Sequence, residues 1–210
     1  DGLARNLRAQ GLLQWRGQTI AGDNIRIRSD GLDGRLAVAA DLTRGSYQAA
    51  WTGPLPGLEI PGLGRVDLLT DLDLRPQGGG LAIAGRASAT MRRLDNDFLR
   101  NLAGGLPRLD TNLSFGPDGI LRLSNLRVRS PLLTFTGQGQ RRRDGTFLIT
   151  GRGVHRSYGP VRVTIDGPIS RPRVDLTLER PPIGGAGLAG VTLQLTPNAN
   201  GFGFTTGGQS

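Results

Sequence analysis

Residues 145–180 read GTFLITGRGVHRSYGPVRVTIDGPISRPRVDLTLER, and three short runs of alternating residues stand within them. Phe147 and Ile149 share one side of the first run, and Val161, Val163 and Ile165 one side of the second. Val174, Leu176 and Leu178 share one side of the third. Between them lie Arg162, Thr164 and Asp166, then Arg173, Asp175, Thr177 and Glu179. A period of two places successive side chains on opposite faces of a strand, so each run has one apolar and one wet face. Gly159-Pro160, Gly167-Pro168 and Arg171-Pro172 punctuate the runs. Proline cannot donate to a ladder, so these pairs start strands or turn between them.

The same unit recurs outward in both directions. Ile25 and Ile27 alternate with Arg26 and Arg28, Leu36 and Val38 lie in a strand ending near Leu42, and Tyr47 to Thr52 makes another. Prolines 54, 56 and 61, with glycines 53, 57, 62 and 64, are expected to break the ladder for about a dozen residues. Arg65 to Arg75 then sets Val66, Leu68, Leu72 and Leu74 against Asp67, Asp71 and Asp73, and Gly80 to Ala89, with Leu81 and Ile83, returns beside it. Leu109 to Phe115, Ile120 to Val128 and Leu132 to Gln140 continue the series, with Leu113 and Phe135 on apolar positions. Asp30-Gly31, Asp33-Gly34, Asp118-Gly119 and Asp144-Gly145 are turn signals. One segment alone reads as a helix, 95–103. Asp95 is its expected N-cap, Leu94 and Leu99 its hydrophobic staple and Gly104 its C-cap. It packs over a sheet edge or face, or serves as a lid over an apolar groove. About a dozen strands with short connections give an all-β chain: an elongated, curled antiparallel sheet, groove-like, with one short α-helix.

Composition supports that class. Thirty-four glycines and thirteen prolines in 210 residues weigh against helix, and 5% aromatic content leaves few large rings to fill a closed core. The absence of cysteine excludes disulfides and thiolate metal sites. The net charge is +9, and every basic side chain except His155 is arginine. Arginine suits bidentate phosphate binding, but its spread along the chain favours general composition, as a GC-rich genome would write it. The charge itself favours anionic neighbours such as lipid headgroups or lipopolysaccharide. No run of 18 apolar residues occurs. The chain opens in mid-pattern at Asp1-Gly2 and stops without a cap, which reads as a piece of a longer protein. Residues 1–180 are expected to form one groove segment, and 181–210 a Gly/Pro linker with the start of the next strands.

Motifs that could carry chemistry do not assemble. Gly185, Gly187 and Gly190 satisfy G-x-G-x-x-G, but Pro181-Pro182 precede them and the strand VTLQLTP follows, where a dinucleotide site needs a helix. His155 has Ser157 and Tyr158 nearby but no nucleophile elbow or paired carboxylates, so no catalytic residue is assigned and no enzyme is expected. Asp67, Asp71 and Asp73 sit on the wet face of a strand rather than in a converging loop, so no metal is assigned. Arg141-Arg142-Arg143 precede a turn and read as solvated. Nucleic acid is not expected, because Trp15, Trp51, Tyr47 and Tyr158 are too scattered to stack bases. No cofactor is implied.

What is left is the repeated apolar face. It must be buried on another sheet, on itself, or on a ligand. An acyl chain of about 16 methylenes gains on the order of 13 kcal/mol on leaving water for such a surface. Relative to a membrane it gains almost nothing, a balance that suits a conduit.

The run Val163-Thr-Ile-Asp-Gly-Pro-Ile-Ser-Arg-Pro-Arg-Val-Asp-Leu-Thr-Leu resembles the TamB branch of the AsmA-like family. Gly45-Ser-Tyr-Gln, Ile60-Pro-Gly-Leu-Gly-Arg-Val-Asp, Ser130-Pro-Leu-Leu-Thr-Phe-Thr-Gly and Gly151 to Pro160 are similar to it as well. The resemblance covers most of residues 30–200. It implies a middle segment of an envelope-spanning protein of a Gram-negative periplasm, whose inner-membrane anchor and outer-membrane barrel partner engage regions outside this segment. It also implies a groove that carries phospholipid acyl chains between membranes, and a role in outer-membrane biogenesis and protein assembly. The lining would be the inward face of each strand: Val66, Leu68, Leu72, Leu74, Leu81, Ile83, Leu113, Phe135, Phe147, Ile149, Val161, Val163, Ile165, Val174, Leu176 and Leu178. The alternative is a structural β-repeat scaffold or adhesin-like spacer that binds no lipid.

Overall fold

The computed structural model describes residues 6–29, 32–179, 191–198 and 201–207. They form fifteen strands and one helix. Two short strands, β1 (Arg8–Gln10) and β2 (Gln14–Arg16), both pair with β3 (Thr19–Ser29). Next come β4 (Leu32–Asp41), β5 (Ser46–Ile60), β6 (Gly64–Gln77) and β7 (Gly80–Leu94), and then α1 (Asp97–Ala103). The second half holds β8 (Arg108–Phe115), β9 (Leu121–Arg129), β10 (Leu133–Arg141), β11 (Phe147–His155) and β12 (Gly159–Gly167). It continues with β13 (Arg173–Leu178), β14 (Thr192–Asn198) and β15 (Gly201–Gly207). From β2 onward each strand pairs antiparallel with the next in sequence, giving one open sheet that is not closed into a barrel. The all-β, antiparallel expectation is therefore met. The three runs of residues 145–180 are β11, β12 and β13, and Gly119 and Gly145 take the positive φ that their turns require (71° and 86°).

Three local expectations differ. The Pro/Gly-rich stretch after Thr52 does not break the ladder, because β5 runs on to Ile60. Pro54 pairs opposite Leu69, and Pro56 falls in a register shift between Leu55 and Leu58, where no ladder donor is needed. The Gly57 N–H, freed by that bulge, donates to Asp67 Oδ1 at 2.8 Å. The helix is capped by Asn96, not Asp95: the Asn96 Oδ1 accepts from the Leu99 N–H at 3.0 Å, while Asp95 takes Arg93 Nε at 2.7 Å. Moving the cap by one residue removes the N′-to-N4 relation of Leu94 and Leu99. Gly104 is the left-handed C-cap (φ 69°), as expected. The Asp30-Gly31 turn and residues 181–190, with the G-x-G-x-x-G motif, lie outside the described residues. β13 pairs with β14 across that gap, so the sheet continues past residue 180.

The sheet bends over on itself. A flat sheet would hold β6 and β13, seven strand spacings apart, at about 34 Å. Instead Gly62, in the turn entering β6, lies so close to Ser170, in the turn entering β13, that a Cβ at Gly62 would overlap the serine. Pro172 and Val174, just after that turn, are fully buried. The helix spans the same end of the molecule. The Asp95 N–H donates to the Leu63 carbonyl at 2.9 Å, and the Leu132 N–H to the Ala103 carbonyl at 3.0 Å. It thereby ties the β5–β6 turn to the β9–β10 turn. Leu94 and Ala103 are buried there, and Leu102 packs on the main apolar cluster. The helix is a brace across one end of the interior.

Candidate functional site

Register places all sixteen candidate lining residues on one face. A single row runs Ile25, Leu36, Trp51, Leu72, Gly85, Leu113, Leu123, Gly139, Ile149, Ile165 and Val174, one residue from each of eleven consecutive strands. Every member is apolar or glycine. The parallel row Leu74, Ile83, Phe115, Leu121 continues to Arg141 and Phe147. Three polar side chains on this face, Thr70, Thr111 and His155, are buried and satisfied. Thr70 Oγ1 donates to the Gly53 carbonyl (3.1 Å) and accepts from Trp51 Nε1 (3.1 Å), and Thr111 Oγ1 donates to the Ser124 carbonyl at 3.0 Å.

Burial divides the sixteen. Val66, Phe135, Val161, Val163, Val174, Leu176 and Leu178 are at most 6% exposed. All of these except Val66 belong to one packed cluster with Leu126 and Leu133. Leu68, Leu72, Leu74, Ile83, Leu113, Phe147, Ile149 and Ile165 are half-buried, and Leu81 is exposed. The face is thus packed shut towards the braced end and in β12–β13. It is accessible along β6–β8 and at the far ends of β11 and β12.

Glycines and aromatics together shape the closed part. The Phe135 ring lies over Gly137 and Gly151, its Cζ 2.9 Å and 2.6 Å from where their Cβ atoms would stand. Trp51 covers Gly34 and Gly53 in the same way, 3.2 Å from the second. A strand interior with no side chain leaves a trough, and one flat ring fills two such positions. Trp51, Leu36, Leu123 and Phe115 were missing from the candidate lining, although each obeys the same alternation. The apparent strand break after Thr52 hid the extent of β5, and with it the register of Trp51.

The outer face is ionic. Asp67 is held below its ordinary value of 3.8 first by the Gly57 N–H and then by Arg92, whose Nε lies 2.7 Å away. Arg26 lowers Asp33, Arg93 lowers Asp95, Arg122 lowers Asp118, and the Thr146 hydroxyl lowers Asp144. A lowered native value means the unfolded chain binds more protons, so this stabilisation is present above 3.8 and is lost as pH falls through the native values. Thermal midpoints are accordingly expected to hold steady from neutrality to about pH 4 and to drop below it, as melts followed by circular dichroism across that range would read.

The other candidates have structural employment. Asp71 takes Arg86 and Thr52, and together with Asp67 and its Arg92 it faces arginines rather than a shared centre. Arg142 Nη1 reaches Asp166 at 2.8 Å, and Arg143 donates to the Asp118 carbonyl, so both pin turns. His155 is 3% exposed at the end of β11, accepts from the Ser157 N–H at Nδ1 (3.1 Å) and stacks on Tyr158 with ring centroids 4.5 Å apart. An open depression of about 510 Å³ lies between β1, β2 and β3, beside the exposed Leu12. Among the described residues no group of three or more His, Cys, Asp or Glu side chains could hold a metal, and no helix is long and apolar enough to cross a membrane.

Comparison with family models, with curated proteins and with solved structures gives no match for this chain.

Proposed function

We propose that the half-buried part of the inward face is a conduit for phospholipid acyl chains, within a longer envelope protein of the TamB type that moves lipid between two membranes. The observation that carries this reading is the unbroken apolar row from Ile25 on β3 to Val174 on β13. A soluble spacer needs to bury its own residues. It has no need to keep Leu68, Leu72, Leu74, Ile83 and Leu113 half-buried side by side across three strands. Large exposed apolar areas mark binding surfaces, and a trough lined by aliphatic side chains offers an acyl chain no polar group to dislodge it. The TamB-like step at Val163–Leu178 supports the same reading and supplies its cellular setting: the periplasm, with the membrane anchor and the barrel partner engaged elsewhere in the protein.

The scaffold alternative draws on the packed cluster of β9–β13, which leaves no room beside Val161 and Val174 as the sheet stands. The two readings part on one experiment. The purified chain is extracted with organic solvent and its lipids are identified by mass spectrometry, alongside Leu72→Asp and Leu113→Asp. Conduit function is expected to give co-purified phospholipid in the parent and at least a tenfold loss in the variants, with circular dichroism unchanged. Absence of lipid from the parent, coupled with failure to displace a fluorescent fatty acid probe, would leave the scaffold.

A further inference from the structure

We infer that the outer face of β8–β12, opposite the apolar trough, is a docking surface for a bilayer carrying anionic phospholipid. Arg108 and Arg129 are directly opposed across β8 and β9, and Arg127 follows on the same face of β9. Like charges in facing positions destabilise a sheet, so packing does not account for the pair. Asp110 faces Arg127 but receives the Ser88 hydroxyl at 2.7 Å instead. Among the described residues Arg108, Arg127 and Arg129 make no ion pair. Across the next strands the row continues Arg127, Thr136, Arg152, Arg162. The last two share one carboxylate, Glu179, at 3.3 Å and 3.2 Å. Five arginines therefore meet two carboxylates, one already occupied by a serine and the other divided between two guanidinium groups. Thr134, exposed beside Arg129, adds a hydroxyl donor.

The shape selects the partner. The patch extends over four strand spacings, about 19 Å, on a sheet face rather than in a cleft. That matches a planar array of phosphates better than a single anion. No aromatic side chain stands among these positions, whose other members are Thr134, Thr136, Val154 and Pro160, so the stacking that single-stranded nucleic acid requires is missing. Guanidinium groups bind phosphate oxygens in pairs, and cations near an anionic leaflet add roughly fivefold each to membrane partition. The inference is independent of whether the inward face carries lipid.

The test is co-sedimentation of the chain with phosphatidylcholine vesicles, with and without one-quarter phosphatidylglycerol. Binding is expected only with phosphatidylglycerol and is expected to weaken as salt rises. Arg108→Gln/Arg127→Gln/Arg129→Gln is expected to lose on the order of a hundredfold in partition. Arg16→Gln/Arg35→Gln/Arg75→Gln, which removes the same charge elsewhere, is expected to retain most of it. The first variant should melt no lower than the parent, because it relieves a like-charge pair. Equal losses in both variants would reduce the effect to net charge and overturn the inference, as would no binding to either vesicle. Full competition by millimolar inorganic phosphate would replace the surface with a free-anion site. Tighter binding of a DNA oligonucleotide than of the vesicles would assign the patch to nucleic acid.

Discussion

Replacing Phe135 by alanine is expected to cost about 3–5 kcal/mol, the upper range for a buried aromatic. The ring is 6% exposed, within the cluster that joins β9 to β13, and its Cζ reaches the space over Gly137 and Gly151. Most cavities collapse partly because neighbouring side chains lean in. Here the two nearest positions have none, and their backbones are fixed in the β10–β11 ladder, paired directly with each other. The space vacated by the ring therefore stays empty, and the cavity contribution is close to its maximum. Urea denaturation of parent and variant, with the slope checked for constancy, reads the difference. A loss below about 1 kcal/mol would mean that the ring is not what holds β10 and β11 against β12 and β13.

The converse substitution, Gly151→Val, is expected to destabilise by about 3 kcal/mol. A Cβ there would overlap the Thr136 carbonyl oxygen and would stand 2.6 Å from Phe135 Cζ and 2.7 Å from Gly137 Cα. Two of those three neighbours are backbone, so a rotamer change cannot relieve the clash. Valine's high strand propensity argues the other way, but that preference is worth about 1 kcal/mol at most and measures fit to a half-buried surface. Thr150→Val, on the opposite face of the same strand, should change stability by less than about 0.5 kcal/mol. The Phe135→Ala/Gly151→Val double variant should be less unstable than the sum of the two, because the new methyl groups enter the volume of the lost ring. Strict additivity would show that ring and glycine are not in contact.

The strands of residues 145–180 were legible because three signals agreed there: alternation, a Gly-Pro or Asp-Gly turn at each end, and β-branched residues on the apolar positions. β5 was not legible. Pro54, Pro56 and Gly57 are breakers on any propensity scale, yet a bulge lets the strand continue, and the stabilising partner of that bulge, Asp67, lies ten residues away in sequence. The helix was legible as a segment but not to the residue. Asp95 and Asn96 are equally good caps, and the tie is broken by Arg93, which takes Asp95 into an ion pair. Within the candidate site, the face of each residue followed from period two alone. Which residues remain open to a ligand did not, since Val163 and Leu113 alternate alike. Val163 is closed off in the packed cluster, while Leu113 stays half-buried outside it. That distinction comes from the contact between Gly62 and Ser170, 108 residues apart, which no local pattern encodes.

Site-specific photocrosslinking to phospholipid tests the conduit reading most directly. A photoreactive residue is placed at Leu72 or Leu113 on the accessible inward face, at Asp71 or Ser114 on the outer face, and at Val161 in the packed cluster. Irradiation in the presence of phospholipid vesicles is followed by mass analysis of adducts. Phospholipid adducts at Leu72 and Leu113, and not at Asp71, Ser114 or Val161, are the expected result. Adducts at none of the five positions, or equally on both faces, would contradict a lipid path along the inward row.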